Sequence, residues 1–312
     1  MASELPRKIL IFGATGLIGK YIIQEIVSAQ PPFEKIGLFT SPATVEKKAE
    51  EIQGWREKGV EVVVGDVNDE GDVRDAYKSY DTVISALGRN AILTQIPLLR
   101  LAAQSPSIRY FYPSEYGTDI EYSPASASEP PHQLKLQVRA YIREQVQDLS
   151  VTYLVTGPYS DLYFAPSGAG AGSFDPKARR ATLLGTGEEK VSFTTMRDVG
   201  RLLVAALRMR AHGAERVLKV NSFTATGRQA VAEFEAQTGG AWEVDYVGLE
   251  ELRAREKRAW EEDKPTKTVF TLRRIWIEGG TLYERRDNGE VGLEEGLETL
   301  ADQVRDVIAR YG

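Results

Sequence analysis

The segment Lys8-Ile9-Leu10-Ile11-Phe12-Gly13-Ala14-Thr15-Gly16-Leu17-Ile18-Gly19 constrains this chain more than any other. A short apolar run breaks into glycines at three-residue spacing and then continues as a helix. That sequence can build a turn around a pyrophosphate. Gly13 lets the strand turn sharply, Gly16 lets backbone N–H groups approach a phosphate, and Gly19 lets the helix pack close to the sheet. Thr15, Leu17 and Ile18 belong to the same turn, and the pyrophosphate would sit at the positive end of the helix. The spacing GxxGxxG departs from the commoner GxGxxG, and an ordinary strand-to-helix turn satisfies the same letters, so the rest of the chain must decide.

Beyond Gly19 the chain alternates apolar runs with helical segments, the pattern of a parallel sheet. Strands are expected at Ile36–Phe39, Val60–Val64, Thr82–Ala86, Ile108–Tyr112, Val151–Val155 and Arg216–Asn221. Ser41 and Pro42 supply a cap and a first-turn proline for a helix reaching Lys58, with Gly59 after it. Helices are expected at Met196–Arg208, Arg228–Gln237 and Leu249–Glu262, and a mobile loop at Pro166–Ser173. The expected fold is α/β: a doubly wound parallel sheet of Rossmann type with a smaller C-terminal α/β substrate lobe. Residues 1–157 form the first domain and 188–221 return to it; 158–187 and 222–312 form the lobe.

At the end of the second strand an acidic residue would bind a ribose 2′-hydroxyl, as for NAD, whereas hydroxylated or basic residues would accept the 2′-phosphate of NADP. The chain reads Phe39-Thr40-Ser41-Pro42, with Lys47 and Lys48 beyond. Without a carboxylate there, NADPH or NADP is favoured over NADH, although Ser41 serves equally well as a helix cap.

Two further strand ends face the same crevice in such a sheet. Ser85-Ala86-Leu87-Gly88 offers small residues beside a cofactor, and Pro113-Ser114-Glu115-Tyr116-Gly117 offers Ser114 or Tyr116 to a nicotinamide or a substrate oxygen. Turn chemistry explains the same residues. Farther on, Leu134, Val138, Tyr141, Ile142 and Leu149 share a helical face, and Lys135 lies on its flank. Partial burial lowers a lysine's pKa and suits it to proton transfer or to ribose binding, while a lysine covering apolar surface with its stem fits the pattern too. His132, one turn earlier, is a minor candidate partner.

The turn GATGLIG, the loop PSEYG, and the run QLKLQVRAYI followed by VTYLVTGPY resemble the isoflavone reductase-like and NmrA-like branch of atypical short-chain dehydrogenases. The resemblance runs from about Lys8 to Tyr163 and continues more weakly through FTTMRDVGRLL. It implies that Lys135 is the catalytic residue and that Gly157, Pro158 and Tyr159 lie beside the nicotinamide. The YxxxK pair of ordinary short-chain dehydrogenases is absent, because Pro131 stands four residues before Lys135. Many relatives carry an arginine at the end of the second strand, where this chain has Phe39-Thr40-Ser41. Relatives reducing plant phenylpropanoids have an asparagine-phenylalanine pair where this chain reads Gly157-Pro158-Tyr159-Ser160, which implies a different substrate. The general look is of a fungal member accompanying secondary metabolism.

The function implied is an NADPH-dependent reductase passing hydride to a conjugated alkene, carbonyl or iminium of an aromatic or heterocyclic small molecule. Lys135 would handle the proton; Ser114, Tyr116 or Tyr159 would orient the substrate; Tyr159, Tyr163, Phe164 and Trp242 or Trp260 would be aromatic walls. Two alternatives stay open: a non-catalytic NmrA-like redox sensor acting through protein partners, and a redox-neutral rearrangement or epimerisation on bound NADP.

Composition removes other classes. A net charge of −6 gives no basic field for nucleic acid or an anionic membrane surface. There are no cysteines, and the two histidines, His132 and His212, match no metal-ligand spacing. No apolar run approaches the roughly 18 residues of a membrane span, and the start of the chain shows no signal peptide, so a cytoplasmic protein is expected. A homodimer is left open.

Overall fold

A computed structural model describes residues 5–168, 170–210, 214–283 and 285–312. His212 and part of the expected Pro166–Ser173 loop lie outside them. The strands are β1 Lys8–Phe12, β2 Lys35–Thr40, β3 Glu61–Val64, β4 Thr82–Ser85, β5 Tyr110–Tyr112, β6 Ser150–Val155, β7 Ser173–Asp175, β8 Arg180–Leu184, β9 Val191–Phe193, β10 Glu215–Lys219, β11 Phe223–Ala225 and β12 Glu243–Val247. The helices are α1 Gly19–Ser28, α2 Pro42–Lys47, α3 Ala49–Glu57, α4 Glu70–Tyr77, α5 Gln95–Gln104, α6 Gln133–Gln145, α7 Ser160–Tyr163, α8 Met196–Leu207, α9 Gly227–Thr238, α10 Leu249–Glu261, α11 Lys267–Ile277 and α12 Leu300–Tyr311. Each expected strand matches an observed one to within two residues at either end.

The main sheet has the order β10-β6-β5-β4-β1-β2-β3, and every pairing in it is parallel. β1 lies between β2 and β4, so the winding reverses there and opens a crevice beyond the carboxyl ends of the strands. A central parallel strand is covered on both faces and therefore reads as unbroken apolar sequence. Successive β1 residues serve opposite faces: Ile9 and Ile11 enter the core under α1 and α8, and Leu10 and Phe12 enter the core that includes residues of α4 and α5.

The helix expected from Pro42 to Lys58 is instead two helices, because Lys48 leaves helical geometry at φ −121° and ψ 36°. The break turns Lys48 back toward the glycine turn, where its ammonium donates to the Thr15 carbonyl.

The second lobe holds β12-β8-β7, with β7 antiparallel to β8, and the antiparallel pair β11-β9. Its core is aromatic: Phe164 contacts Phe174 at 5.2 Å, Phe174 stacks on Phe234 at 5.4 Å, and Phe234 meets Trp242 at 4.6 Å between centroids. β10 is an edge strand of the main sheet and α8 packs into the same core as α1, whereas β9 pairs with β11, with Val191 and Phe193 in the aromatic core. The chain crosses once more near its end: Asp287 N–H donates to the Lys219 carbonyl at 2.7 Å, and Val291, Leu293 and Leu297 pack on the first domain's core.

Candidate functional site

The glycine turn adopts the geometry its spacing implies. Gly13 has φ +79°, and a Cβ there would sit 2.6 Å from the Ala86 carbonyl oxygen, so both conformation and space demand glycine. A Cβ on Gly19 would collide with the Gly13 carbonyl, which is how closely α1 approaches the strand. Gly16 closes the turn by donating to the Gly13 carbonyl at 2.9 Å. α1 has no side-chain cap and no acidic residue in its first turn, so its positive end is free for an anion. These features fit a dinucleotide pyrophosphate.

Beside this turn lies a cleft of about 600 Å³ between the two lobes. Its lining brings together Gly16, Leu17 and Ile18; Ala86, Leu87 and Gly88; Ser114 and Tyr116; Lys135; and Gly157, Pro158 and Tyr159. Gly13, Thr15, Gly19, Thr40, Ser41 and Pro113 do not line it. Gly13 and Gly19 shape the turn from behind. Thr40 is buried at the end of β2, and the Ser41 hydroxyl caps α2 by accepting from the Thr44 N–H at 3.2 Å.

Lys135 sits on the first turns of α6, partly buried, and its ammonium donates to the Glu115 carbonyl at 3.1 Å. Burial lowers its pKa against the pull of Glu115. The loop supplying that carbonyl is clamped to the same helix, since the Glu115 carboxylate pairs with Arg139 at 3.0 Å and Arg139 also reaches Glu121 at 2.6 Å. Arg139 stacks on Tyr153 at 4.5 Å, which fills the space under the ion pair. The loop and α6 are thereby held as one unit.

The hydroxyls expected to touch substrate are mostly committed. Ser114 donates to the Leu87 carbonyl at 2.8 Å, and Tyr159 donates to the Tyr116 carbonyl at 2.6 Å. Tyr159 therefore offers the cleft its ring and an acceptor oxygen. The Tyr116 hydroxyl is buried without a partner, and burial pushes its pKa well above the usual tyrosine value.

His132 is almost fully buried and lines the cleft. Ser126 Oγ donates to the Ile120 carbonyl, so the contact between Ser126 Oγ and His132 Nδ1 at 3.0 Å makes Nδ1 the donor. That leaves Nε2 an unprotonated acceptor, and it has no partner. Burial depresses the ring's pKa to about 4.

Of the expected aromatic walls, Tyr159 and Tyr163 line the cleft. Phe164 and Trp242 are absorbed into the lobe core, and Trp260 donates to Thr271 Oγ1 at 2.9 Å away from the lining. Sequence reasoning missed α11, which contributes Val269, Leu272, Arg273 and Trp276. The Trp276 indole donates to Thr118 Oγ1 at 2.7 Å and so joins α11 to the loop after β5. The charged, apolar and aromatic mixture of KTVFTLRRIWI marks a helix with one buried face, but nothing in it says which cavity that face meets.

The NmrA-like family matches the chain over residues 6–258. Isoflavone reductase from Pisum sativum is 30% identical over 266 residues, covering 81% of each chain. Isoflavone reductase from Medicago sativa is 30% identical over 304 residues, covering 91% of each. Among solved structures, the binary complex of leucoanthocyanidin reductase with NADPH from Vitis vinifera superposes with a TM-score of 0.81 at 21% identity, covering 97% of this chain and 99% of that one. With a doubly wound sheet, a glycine turn at its switch point and a match across most of its length, the chain belongs to the NmrA-like family, in its isoflavone reductase-like branch.

Proposed function

We propose that this protein is an NADPH-dependent reductase acting on an aromatic or heterocyclic small molecule with a conjugated alkene, carbonyl or iminium. The observation that carries the reading is Lys135, held by the Glu115 carbonyl in the wall of the cleft that begins at the glycine turn. The relatives named as isoflavone reductases support the reaction class.

The bound nicotinamide would supply the hydride. Gly16, Leu17, Ile18 and the start of α1 would hold the pyrophosphate, and Ala86, Leu87, Gly88, Gly157 and Pro158 would flank the cofactor where they line the cleft. Lys48, beside the glycine turn, would pair with a 2′-phosphate, with Thr40 and Ser41 near it at the end of β2, which carries no carboxylate to repel it. Lys135 would give a proton to the substrate atom that gains the electron pair when the neighbouring electrophilic carbon is reduced. Leu134, Leu162, Tyr163, Val269 and Trp276 line the cleft and would pack against an apolar ring. A cleft with apolar walls extending past the dinucleotide turn favours this reading over a sensor, which needs no substrate room.

The test is loss of nicotinamide absorbance with a panel of aromatic enones, imines and aldehydes, run beside Lys135→Ala. Turnover by the native chain and none by the variant supports the reading. Equal rates for the two would remove Lys135 from proton transfer.

A further inference from the structure

Arg273 and Arg274 are neighbours on α11 with opposite surroundings. Arg274 collects three carboxylates, Glu256 at 2.6 Å, Glu129 at 2.7 Å and Glu278 at 2.9 Å. Arg273 is only 5% exposed and forms no ion pair among the described residues. Its Nη2 donates to the Leu162 and Tyr163 carbonyls, both at 3.3 Å. Its guanidinium lies 3.8 Å from the Tyr163 ring centroid and 5.5 Å from that of Trp276. Nη1 is buried with no partner.

Capping the end of α7 and stacking on two rings account for Nη2 and for part of the charge. They leave Nη1 unsatisfied and a net positive charge uncompensated. Guanidinium cannot shed its proton at ordinary pH, so a buried one without a counter-ion is costly. Arg273, Tyr163 and Trp276 all line the cleft. A planar carboxylate is the group whose two oxygens match the guanidinium fork.

Resting on the reductase reading, we propose that the substrate is an aromatic acid whose carboxylate pairs with Arg273 while its ring lies against Trp276 and Tyr163. Nη1 is buried as it stands, so the pairing requires the Arg273 head to turn toward the cleft its residue lines and to exchange its bonds to the Leu162 and Tyr163 carbonyls for the carboxylate. The carboxylate takes no part in the reduction; it anchors the ring so that the electrophilic carbon faces the nicotinamide side of the cleft. Glu129, Glu256 and Glu278 are spent on Arg274, which leaves the neighbouring cation to a carboxylate from outside the chain.

The experiment is calorimetric titration of the full chain loaded with NADP, using benzoate, trans-cinnamate and an indole carboxylate, each beside its methyl ester. At least one acid should bind about ten- to a hundredfold more tightly than its ester. Arg273→Gln should abolish that preference and leave NADP affinity unchanged, and Arg273→Lys should keep part of it. Equal affinities of acid and ester, no binding by any acid, or a preference that survives in Arg273→Gln would overturn the proposal. So would loss of NADP affinity in a folded Arg273→Gln variant, which would place the guanidinium on the cofactor. If that variant fails to fold, the acid–ester comparison on the native chain decides alone. Failure of the native chain to bind NADP would instead defeat the reductase reading, and the same comparison on the unloaded chain would still decide the carboxylate site.

Discussion

The Glu115 carboxylate and the Arg139 guanidinium meet at 3.0 Å with both side chains almost fully buried. The backbone carbonyl of the same Glu115 receives the Lys135 ammonium at 3.1 Å. One residue thus joins a buried ion pair to the amine proposed to handle the proton. Arg139→Met would strand the Glu115 charge in the interior, at a cost of about 3–5 kcal/mol. The expected result is a large drop in melting temperature together with lower turnover. Glu115→Gln, which keeps a hydrogen-bond acceptor, should be milder in both. A normal melting temperature for Arg139→Met would show that the pair does not brace the loop.

Lys135→Ala should abolish turnover while circular dichroism and melting temperature stay near those of the native chain. Burial lowers the Lys135 pKa, so the protonated form is lost at a lower pH than for a free lysine, whose value is 10.5. With Lys135 as the proton donor, kcat of the native chain should fall as pH rises through that depressed pKa. An alkaline limb at the ordinary lysine value would contradict the burial argument.

Burial holds the His132 imidazole at about 4, against about 6.5 in an unfolded chain. Between those values the unfolded chain binds a proton that the folded protein does not. Stability present above the unfolded value is therefore lost as pH falls toward 4, by up to about 3 kcal/mol. His132→Leu should remove that part of the slope, measured by urea denaturation between about pH 7 and about pH 4.5. An unchanged slope would mean that His132 is accessible to protons in the folded state.

Much of this fold can be read from local pattern because the main sheet is parallel. Its strands are buried on both faces, so Lys8–Phe12 and Ser150–Val155 stand out as apolar runs, and the glycines after Phe12 mark the switch point of the sheet. The span from Pro42 to Lys58 is harder: both halves have helical sequence, and only the backbone at Lys48 shows the break. Trp242 and Phe164 read as cleft walls because aromatic residues give no sign, one by one, of whether they face a cavity or a core. Arg273 escapes a sequence reading for the reverse reason. An Arg-Arg pair reads as solvated charge, and its asymmetry emerges only when Glu129 and Glu256 fold onto Arg274.

Lys48 donates to the Thr15 carbonyl and pairs with Glu51 at 3.5 Å, which keeps its ammonium beside the turn. As a cation held beside the expected 2′-phosphate, it should favour NADPH. Lys48→Ala should weaken NADPH binding about tenfold and leave NADH binding nearly unchanged. An equal loss for both cofactors would move Lys48 from selectivity to the structure of the turn.

Calorimetric titration with NADPH, NADP and NADH asks whether the cleft beside Gly13–Gly19 holds the cofactor. NADPH should bind saturably and more strongly than NADH, and the binding should be lost in Gly13→Ala, whose Cβ would meet the Ala86 carbonyl at 2.6 Å. Absence of binding to any of the three by the native chain, or undiminished binding by Gly13→Ala, would contradict it.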